Sequence, residues 1–485
     1  MIDREEILEL AREFQLPANT VEKDYALGWL LAGISSHHAL RDSWVFKGGT
    51  CLKKCFFETY RFSEDLDFTL RDPAHLDEAF LLQTFTEVAE WVYESTGLEL
   101  PVETRRFEIF TNLRGNPSGQ GRVGYRGPLG RAGDPPRIKL DLTHDEILVL
   151  DPVRRGVHHP YSDDPDDGIN VLCYAFEEVF AEKVRALAER QRPRDLYDVI
   201  HLHRRDDLAP DLATIITTLR RKCEFKAIPF PTFAALENRP EREEIEAEWD
   251  RMLGHQLPVC PAFEQFWSAL PAVFAWLEQE VAPPVELASI AAVGADEDET
   301  WHVPAMATPW GYSTPLESIR YAAANHLLVD LGYQGTIRAI EPYSLRRTKA
   351  DDLVLYAARS ADGQTRSYRV DRIESAAVTR ESFNPRFRIE LTRAGAISAT
   401  SVSTGRPARA RIAASRLRAF QAVRPGAVRS PRARAPFGAI KHVFECPVCH
   451  KRFTRLTYDA SLNSHKNKNG WDCYGSVGIY RGAKS

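Results

Sequence analysis

Long apolar runs are missing from this 485-residue chain. No stretch of about 18 apolar residues occurs, and the N-terminal segment lacks the short apolar core of a signal peptide, so we expect neither a membrane span nor secretion. Cysteine is also sparse, with 8 residues in the whole chain, which excludes the disulfide framework of a small secreted protein. These absences predict a protein of the reducing cytoplasm, whose cysteines before residue 401 are buried or half-buried thiols.

The composition that is present is that of an ordinary globular protein, with 44% hydrophobic and 27% charged residues. A chain of this length is expected to form about two to four domains. The net charge of −5 conceals an asymmetry, because 17 of the 63 basic residues but only three of the 68 acidic residues lie in 401–485. This tail predicts a polyanionic partner, with a basic tail that has no dedicated partner as the alternative.

Residues 45–50, with the sequence Val-Phe-Lys-Gly-Gly-Thr, read as a strand and a tight turn that opens a helix. Glycines at such a turn let backbone N–H groups approach a phosphate, because no Cβ stands in the way. An ordinary Gly-Gly turn without a ligand is the alternative. The segment is therefore a candidate phosphate-binding turn.

Residues 61–68 predict a second strand that carries Asp65 and Asp67 on one face, with Leu66 and Phe68 on the other. Two adjacent carboxylates repel each other, and a folded protein usually keeps such a pair with a cation between them. An Asp-x-Asp strand that binds no metal is the alternative, since the pattern is common. A phosphate-binding turn beside a carboxylate pair for a divalent metal is the apparatus of nucleotidyl transfer.

Together the two motifs, Lys-Gly-Gly-Thr-x-Leu and Arg-x-Ser-x-Asp-Leu-Asp-Phe, resemble those of the AbiEii-type nucleotidyltransferase toxins. These toxins are a branch of the polymerase-β-like superfamily, and the resemblance covers about residues 1–225. It implies that Mg²⁺ (or Mn²⁺) is held by Asp65 and Asp67. The nucleotide-binding residues that it implies are Lys47, Gly48, Gly49, Thr50, Ser63 and Lys183.

Two later segments supply further candidates. The segment 138–143 alternates as a strand, with Asp141 on the face opposite its apolar residues. The resemblance makes Asp141 a third carboxylate; a solvated strand residue is the alternative. Lys183 lies on or beside the packed stripe of a predicted helix, which is unusual for Lys without an anionic partner. The resemblance gives Lys183 the triphosphate and makes Asp195 a residue that orients Lys183 or the base; an inter-helix salt bridge is the alternative.

The remaining segments predicted before residue 313 are helices at 3–14, 19–34 and 75–96, a mobile loop at 114–136, a helical pair at 174–204, a helical extension at 226–285 and a linker at 286–312.

Residues 313–397 predict a strand-rich domain. Its predicted strands are 328–333, 336–340, 353–359, 365–370 and 387–391. The domain resembles the WYL domain, a small Sm-like β-barrel, although the name-giving Trp-Tyr-Leu is replaced by Leu353-Val354-Leu355. Four arginines would line an anion pocket or a single-stranded nucleic-acid pocket, with surface solvation as the alternative: Arg338, Arg366, Arg369 and Arg372.

The C-terminal region predicts an Arg-rich linker at 398–440 and a zinc-binding module at 441–485. Residues 401–440 contain nine arginines and no acid, a composition that cannot bury a core. Cys446 and Cys449 have the spacing of a zinc knuckle, and His465 and Cys473 follow as further Zn²⁺ ligands, with His450 as a substitute. Redox-active cysteines are the alternative.

The sequence thus predicts a multidomain α+β protein with a nucleotidyltransferase core, a helical surround, a WYL-like β-barrel and a zinc module. The resemblance implies transfer of NMP from NTP to RNA, with tRNA 3′ ends as the leading acceptor. It also implies growth arrest, as a toxin with an antitoxin partner or as a phage-defence effector. A nucleic-acid-binding regulator with a degenerate transferase domain and a protein nucleotidyltransferase are the alternatives. The preferred NTP and the acceptor are left open.

Overall fold

The structure is a computed structural model in which the chain divides into two compact units, residues 1–412 and 413–485. The residues that it describes are 1–57, 60–112, 114–165, 167–204, 210–237, 241–278, 287–292, 294, 296–298, 316–391, 441–446, 451–455, 465–466, 472–473 and 479–484. No helix in these ranges combines the length and the apolar character that crossing a membrane requires.

A seven-stranded mixed sheet, in the order β3-β4-β5-β2-β1-β7-β6, forms the centre of the first unit. Its strands are β1 (Trp44–Lys47), β2 (Asp65–Leu70), β3 (Arg106–Thr111), β4 (Pro117–Gly124), β5 (Arg137–Thr143), β6 (Val153–Gly156) and β7 (Asn170–Cys173). Strand β2 runs antiparallel to β1 and parallel to β5. The two predicted motif strands are therefore confirmed, and they lie in the middle of the sheet.

Helices surround this sheet. They are α1 (Arg4–Glu13), α2 (Ala18–Ser36), α3 (Gly48–Cys51), α4 (Glu78–Thr96), α5 (Phe176–Arg190), α6 (Pro193–His203), α7 (Leu212–Lys226), α8 (Phe233–Glu237), α9 (Glu241–Leu253), α10 (Phe263–Trp267) and α11 (Leu270–Leu277). The predicted helices at 3–14 and 19–34, the pair at 174–204 and the helical extension are confirmed.

Helix α4 begins later than predicted. A short 3-10 turn, Pro73–His75, precedes it, and the Asp77 side chain accepts a hydrogen bond from the Phe80 N–H at 2.8 Å, which caps the helix. Gly97 ends the helix with a φ of 77°. Trp91 of this helix is 36% exposed.

The prediction of a mobile loop at 114–136 is wrong for residues 117–124, because these form β4, which pairs with both β3 and β5. Packing requires one of the glycines that suggested a loop, Gly121 of β4. A Cβ on Gly121 would come to 2.6 Å from the Phe107 ring and 3.2 Å from Leu140. Gly121 therefore makes room for the aromatic ring of the neighbouring strand.

A second sheet contains five antiparallel strands in the order β11-β10-β9-β8-β12. After the helix α12 (Leu316–Asn325), these strands are β8 (Leu327–Tyr333), β9 (Thr336–Arg347), β10 (Leu353–Arg359), β11 (Thr365–Arg369) and β12 (Ile373–Ser382). Four of the five predicted strands are confirmed, and β12 was not predicted.

The predicted strand at 387–391 is wrong. Phe387 and Ile389 instead pack against a small apolar cluster that includes Tyr343 and Phe383. The Glu390 N–H donates to the Tyr343 carbonyl at 2.7 Å, outside any ladder. Apolar alternation in this segment therefore serves packing over the sheet and not strand pairing.

Hydrogen bonds join α12, directly before the second sheet, to helices α6 and α10 of the same unit. The Tyr197 hydroxyl on α6 donates to the Asn325 side-chain carbonyl at 2.9 Å, and the Gln265 amide donates to the Asn325 backbone carbonyl at 2.8 Å. In the predicted linker, Asp298 N–H donates to the Arg347 carbonyl at 2.9 Å. The described linker residues are therefore bound to β9.

The second unit contains a three-stranded sheet in the order β14-β13-β17 and a two-stranded sheet of β15 and β16. The strands are β13 (Lys441–Glu445), β14 (Arg452–Arg455), β15 (His465–Lys466), β16 (Asp472–Cys473) and β17 (Ile479–Lys484). The predicted Arg-rich linker from residue 398 to 440 lies outside the described residues.

Candidate active site

A row of charged residues crosses the centre of the seven-stranded sheet. Lys47 on β1 lies opposite Asp67 on β2, and Asp67 lies opposite Asp141 on β5. Asp65 lies opposite Lys139 in the same ladder. Directly opposed residues of neighbouring strands point to one face, so the three predicted aspartates share a face, as the alternation predicted.

The turn between β1 and α3 accepts only glycine. Gly48 has a φ of +82°, and a Cβ on it would come to 2.1 Å from the Oδ2 atom of Asp67. A Cβ on Gly49 would come to 2.4 Å from an Arg61 guanidinium nitrogen and 3.1 Å from the Ser63 hydroxyl. The turn therefore brings bare backbone against the charged residues of β2 and the segment before it.

Thr50 and Ser63 lie in different surroundings at this turn. Thr50 is buried, and its hydroxyl donates a hydrogen bond to the Asp65 carbonyl. This bond fixes the start of α3 to the start of β2. Ser63 is half-buried beside Gly49. Contacts of these predicted nucleotide-binding residues with a phosphate stay a prediction.

The carboxylates at the centre of the row are electrostatically strained. Burial, joined by the neighbouring charges of Asp141 and Asp65, raises the pKa of Asp67 to about 6, although Lys47 and Lys183 oppose the shift. Burial also raises the pKa of Asp65, against the opposing charge of Lys139. Groups that resist ionisation because of burial and like charge gain from a cation bound between them.

Asp141 already has a partner. Its carboxylate accepts a hydrogen bond from the Lys139 ammonium at 2.7 Å on the same strand. The bond from Lys139 reaches only the Oδ2 atom, so Asp141 can keep it and still offer its other oxygen to an ion shared with Asp65 and Asp67.

Lys183 on α5 lies 2.7 Å from the Asp198 carboxylate and 3.6 Å from that of Asp195. The inter-helix ion pair that the sequence left as an alternative is therefore present, with Asp198 as the closer partner. Asp195 is in turn held by two hydrogen bonds from Arg190, at 2.7 and 2.9 Å.

Sequence reasoning missed the strongest partner of Asp198. Arg61 donates two hydrogen bonds to its carboxylate, at 2.7 and 2.8 Å, and the Tyr60 hydroxyl donates a third. All three side chains are buried. The signal was available in part, because Arg61 begins the second motif and Asp198 follows Asp195 by one helical turn. Their pairing across 137 residues of sequence was not visible.

Lys47 lies in a second buried ion network that the sequence did not reveal. Its ammonium lies 3.5 Å from Glu182 and 3.9 Å from Glu146. Lys222 on α7 binds the same Glu182 at 3.1 Å. Burial disfavours the charged form of Lys47, but Glu146, Glu182 and Asp67 outweigh it and raise the pKa of Lys47. Lys47 therefore stays protonated beside Asp67.

Three of the four predicted pocket arginines lie on strands of the second sheet, Arg338 on β9 and Arg366 and Arg369 on β11, and Arg372 lies in the short 3-10 turn between β11 and β12. Arg369 is bound to Asp352 at 2.7 and 2.8 Å and to Asp371. Arg338 donates to the Tyr333 carbonyl at 2.9 Å. Arg366 and Arg372 are exposed.

Three of the four predicted zinc ligands lie in the described part of the second unit. Cys446 is buried directly after β13, and its N–H donates to the Lys451 carbonyl at 2.9 Å. His465 and Cys473 lie directly opposite each other in the β15–β16 pair. Cys449 and the substitute His450 fall outside the described residues.

A family model described as "Nucleotidyl transferase AbiEii toxin, Type IV TA system" matches residues 29–276, just over half of the chain. Among solved structures, the nucleotidyltransferase toxin MenT4 from Mycobacterium tuberculosis H37Rv is similar at 20% identity with a TM-score of 0.38, over 57% of this chain and 90% of that one. No curated protein matched the sequence. The matched span contains the catalytic row and Lys183, and the chain belongs to the AbiEii nucleotidyltransferase toxin family, whose members are nucleotidyltransferases.

Proposed function

We propose that this enzyme transfers NMP from an NTP to the 3′ end of an RNA, with tRNA as the leading acceptor, and thereby arrests growth as a toxin or phage-defence effector. The observation that carries the proposal is the placement of Asp67 against the Gly48–Gly49 turn and opposite Lys47, with Asp65 on the same face of the strand. An antitoxin is the expected protein partner of such an activity.

Asp65 and Asp67 fit Mg²⁺ (or Mn²⁺), because carboxylate oxygens are the ligands that these hard cations prefer. Burial and the charges of Asp141 and Asp65 raise the pKa of Asp67, so a bound cation would stabilise its ionised form. Such ions, when bound, neutralise the triphosphate and lower the pKa of an attacking hydroxyl. Asp141, which lies opposite Asp67, is the candidate for a third carboxylate ligand.

The chain's own residues bind and orient the substrates. Backbone N–H groups at Gly48 and Gly49 are free of any Cβ and can face phosphate oxygens, with the Ser63 hydroxyl beside them. Lys183 supplies positive charge to the triphosphate, and Asp195, fixed by Arg190, orients Lys183. The acceptor oxygen forms a bond to the α-phosphorus while the bond to pyrophosphate breaks.

We also propose that the accessory parts hold nucleic acid. The second sheet is interpreted as a WYL-like domain, supported by its five antiparallel strands and its arginines. The second unit is interpreted as a zinc module. Two observations support this: the hydrogen bond from the Cys446 N–H to the Lys451 carbonyl, and the pairing of His465 opposite Cys473. A regulator with a degenerate transferase domain is the weaker alternative, because every predicted catalytic carboxylate is present.

The test is a transfer assay with the four NTPs, labelled in turn at the α- or the γ-phosphate. Substrates are total RNA, tRNA, tRNA whose 3′ diol has been oxidised with periodate, and protein extract. We expect α-label, and no γ-label, in tRNA, and no label in the oxidised tRNA.

Asp67→Asn is the inactive control for this assay. Label in protein and not in RNA would support the protein nucleotidyltransferase alternative. The absence of any transfer by the wild-type enzyme, with every NTP and acceptor, would contradict the proposed function.

A further inference from the structure

Three cysteine thiols converge behind the phosphate-binding turn. The Sγ atoms of Cys51, Cys55 and Cys173 all lie within 4.8 Å of one another, and all three side chains are buried. They come from separate elements, since Cys51 ends α3 and Cys173 ends β7. The remaining described thiols of the first unit, Cys223 and Cys260, are outside this cluster.

The backbone at the cluster departs from regular helix. Residues 52–56 form a π-helical turn that carries Cys55, and the Phe57 N–H closes it with a bond to the Leu52 carbonyl at 2.8 Å. Such turns are rare and often lie at functional sites. The wider turn places Cys55 with Cys51 and Cys173.

The spacing suits a single ion. Three sulfurs bound to one metal at about 2.3 Å in a plane lie about 4 Å from one another. The observed limit of 4.8 Å requires only a small inward movement of each side chain.

A positively charged side chain lies beside the cluster. The Arg155 guanidinium lies 4.2 Å over the Phe56 ring, and its Nε donates to the Cys55 carbonyl at 3.1 Å. Its charge favours the ionised forms of Cys55 and Cys173. Burial raises the pKa of Cys51 and of Cys55, whereas hydrogen bonds from these two thiols lower the pKa of Cys173 to about 5. The Arg155 guanidinium can therefore offset part of the negative charge of thiolates that bind a cation.

We propose that Cys51, Cys55 and Cys173 form a closed three-coordinate site for a soft cation, and that the ion is monovalent copper. Thiolates select soft ions, whereas zinc in structural sites takes four ligands. Among the described residues the cluster contains no fourth His, Cys, Asp or Glu donor.

The site would act on the fold of the catalytic turn. Cys51 is the last residue of the helix that begins at Gly48, and Cys173 lies opposite Phe46, one residue before Lys47. A metal held by both elements would fix the turn to β7. A ligand that binds only the folded state also raises the melting temperature. The proposal does not depend on the identity of the acceptor.

The test uses the full-length chain with Cys446→Ser, Cys449→Ser and Cys473→Ser, so that C-terminal sulfurs contribute no binding. The reduced protein is titrated anaerobically with Cu(I) against a chromophoric Cu(I) chelator, and in parallel with Zn²⁺. We expect one equivalent of copper, retained after desalting, and a higher melting temperature. Cys173→Ala should lose this copper, whereas Cys223→Ala, a change at a buried thiol outside the cluster, should keep it.

A measurement without variants of the cluster protects the test against a misfolded Cys173→Ala protein. Copper-edge X-ray absorption of the copper-loaded parent should show three sulfur neighbours. A parent that retains no copper, a Cys173→Ala protein that retains it fully, or one equivalent of tightly held zinc in its place would each overturn the proposal.

Discussion

Gly48 lies so close to Asp67 that a β-carbon added to it would come to 2.1 Å from the carboxylate Oδ2 atom. Gly48→Ala should therefore displace Asp67 and reduce transfer to below about 1% of wild type, the scale of losing one essential charged group. Incorporation of labelled nucleotide measures the effect.

Gly115→Ala is a matched control for Gly48→Ala. Gly115 has nearly the same φ, +81° against +82°, but a β-carbon there would meet no atom within 4 Å. Both changes place alanine in the left-handed region, which costs stability, and only the first crowds a carboxylate. Equal activities of the two variants would contradict the steric account of the turn.

Asp67→Asn should abolish transfer, again to below about 1%, and should leave the fold as stable as before or more stable. The physical reason is that burial and the like charges of Asp141 and Asp65 raise the pKa of Asp67 to about 6, so its charge at neutral pH opposes folding. Thermal melts without divalent cations measure the stability.

Asp65→Asn is expected to behave in the same way. Asp330→Asn, a change at an exposed strand residue of β8, is the control and should alter neither property. Two active-site variants with near-wild-type incorporation would show that these carboxylates do not form the metal site.

Loss of Lys183 should cost less stability than loss of Arg61, although both contact Asp198. When Lys183 is removed, Asp198 keeps both hydrogen bonds from Arg61; when Arg61 is removed, a buried carboxylate loses its principal partner. We expect about 3–5 kcal/mol for Arg61→Met and about 1–2 kcal/mol for Lys183→Met in urea unfolding.

Binding of NTP separates the roles of these two residues further. Lys183→Met should weaken nucleotide binding even where the protein is fully folded, as a triphosphate ligand requires. A Lys183→Met protein that loses as much stability as Arg61→Met, and that binds NTP normally when folded, would make Lys183 structural only.

Acid should destabilise the protein through Asp198. Although burial works against its charge, Arg61 and Lys183 hold the pKa of Asp198 well below its ordinary value. The unfolded chain therefore binds a proton near pH 4 that the native state refuses, so this stabilisation is complete above about pH 5 and is lost as the pH falls further. Urea unfolding between pH 7 and pH 3 should show this loss.

The same pH series on Asp198→Asn should show a shallower acid slope from a lower starting stability. The slope should not vanish, because Lys47 and Lys222 similarly depress the pKa of buried Glu182 against the effect of its burial. A slope unchanged from wild type would exclude Asp198 as a source of acid sensitivity.

The second unit should fold around one Zn²⁺. The segment 441–485 is too short and polar to fold by burial alone. Two of its predicted ligands, His465 and Cys473, lie opposite each other in a strand pair. Metal analysis should find one zinc per chain in wild type and none in Cys446→Ser/Cys449→Ser.

Deletion of residues 401–485 should weaken RNA binding and flatten its salt dependence, because each phosphate neutralised by the basic tail releases counterions. An unchanged salt slope would place the nucleic-acid surface elsewhere.

Local pattern was enough to predict that Asp65, Asp67 and Asp141 share one face of the sheet. Period-two alternation placed Asp65, Asp67 and Asp141 on one face, and the adjoining glycines marked the turn. The charges around the catalytic row could not be predicted in the same way. Arg61 and Asp198 are separated by 137 positions, and Glu146 and Glu182 reach Lys47 from different elements.

The errors have a common physical origin in tertiary packing. Gly121 in β4 suggests a loop when the sequence is read alone. The structure shows that it is glycine because the Phe107 ring occupies the place of a β-carbon. The segment 387–391 has the alternation of a strand but covers an apolar cluster, whereas β12 pairs with β8 despite a mostly exposed pattern. Single-sequence periodicity reports burial and does not report which neighbour provides it.

The hydrogen bond between Tyr197 and Asn325 predicts how far the chain can be shortened before the enzyme no longer folds. Tyr197 lies on the helix that carries Asp195, yet its acceptor is 128 residues further along the chain. The apolar core that contains Tyr197 also continues to Leu391. A fragment that ends with the family match, at residue 276, would expose the side of α6 that carries Tyr197. The shortest fragment that we expect to fold as an active enzyme therefore ends near residue 391.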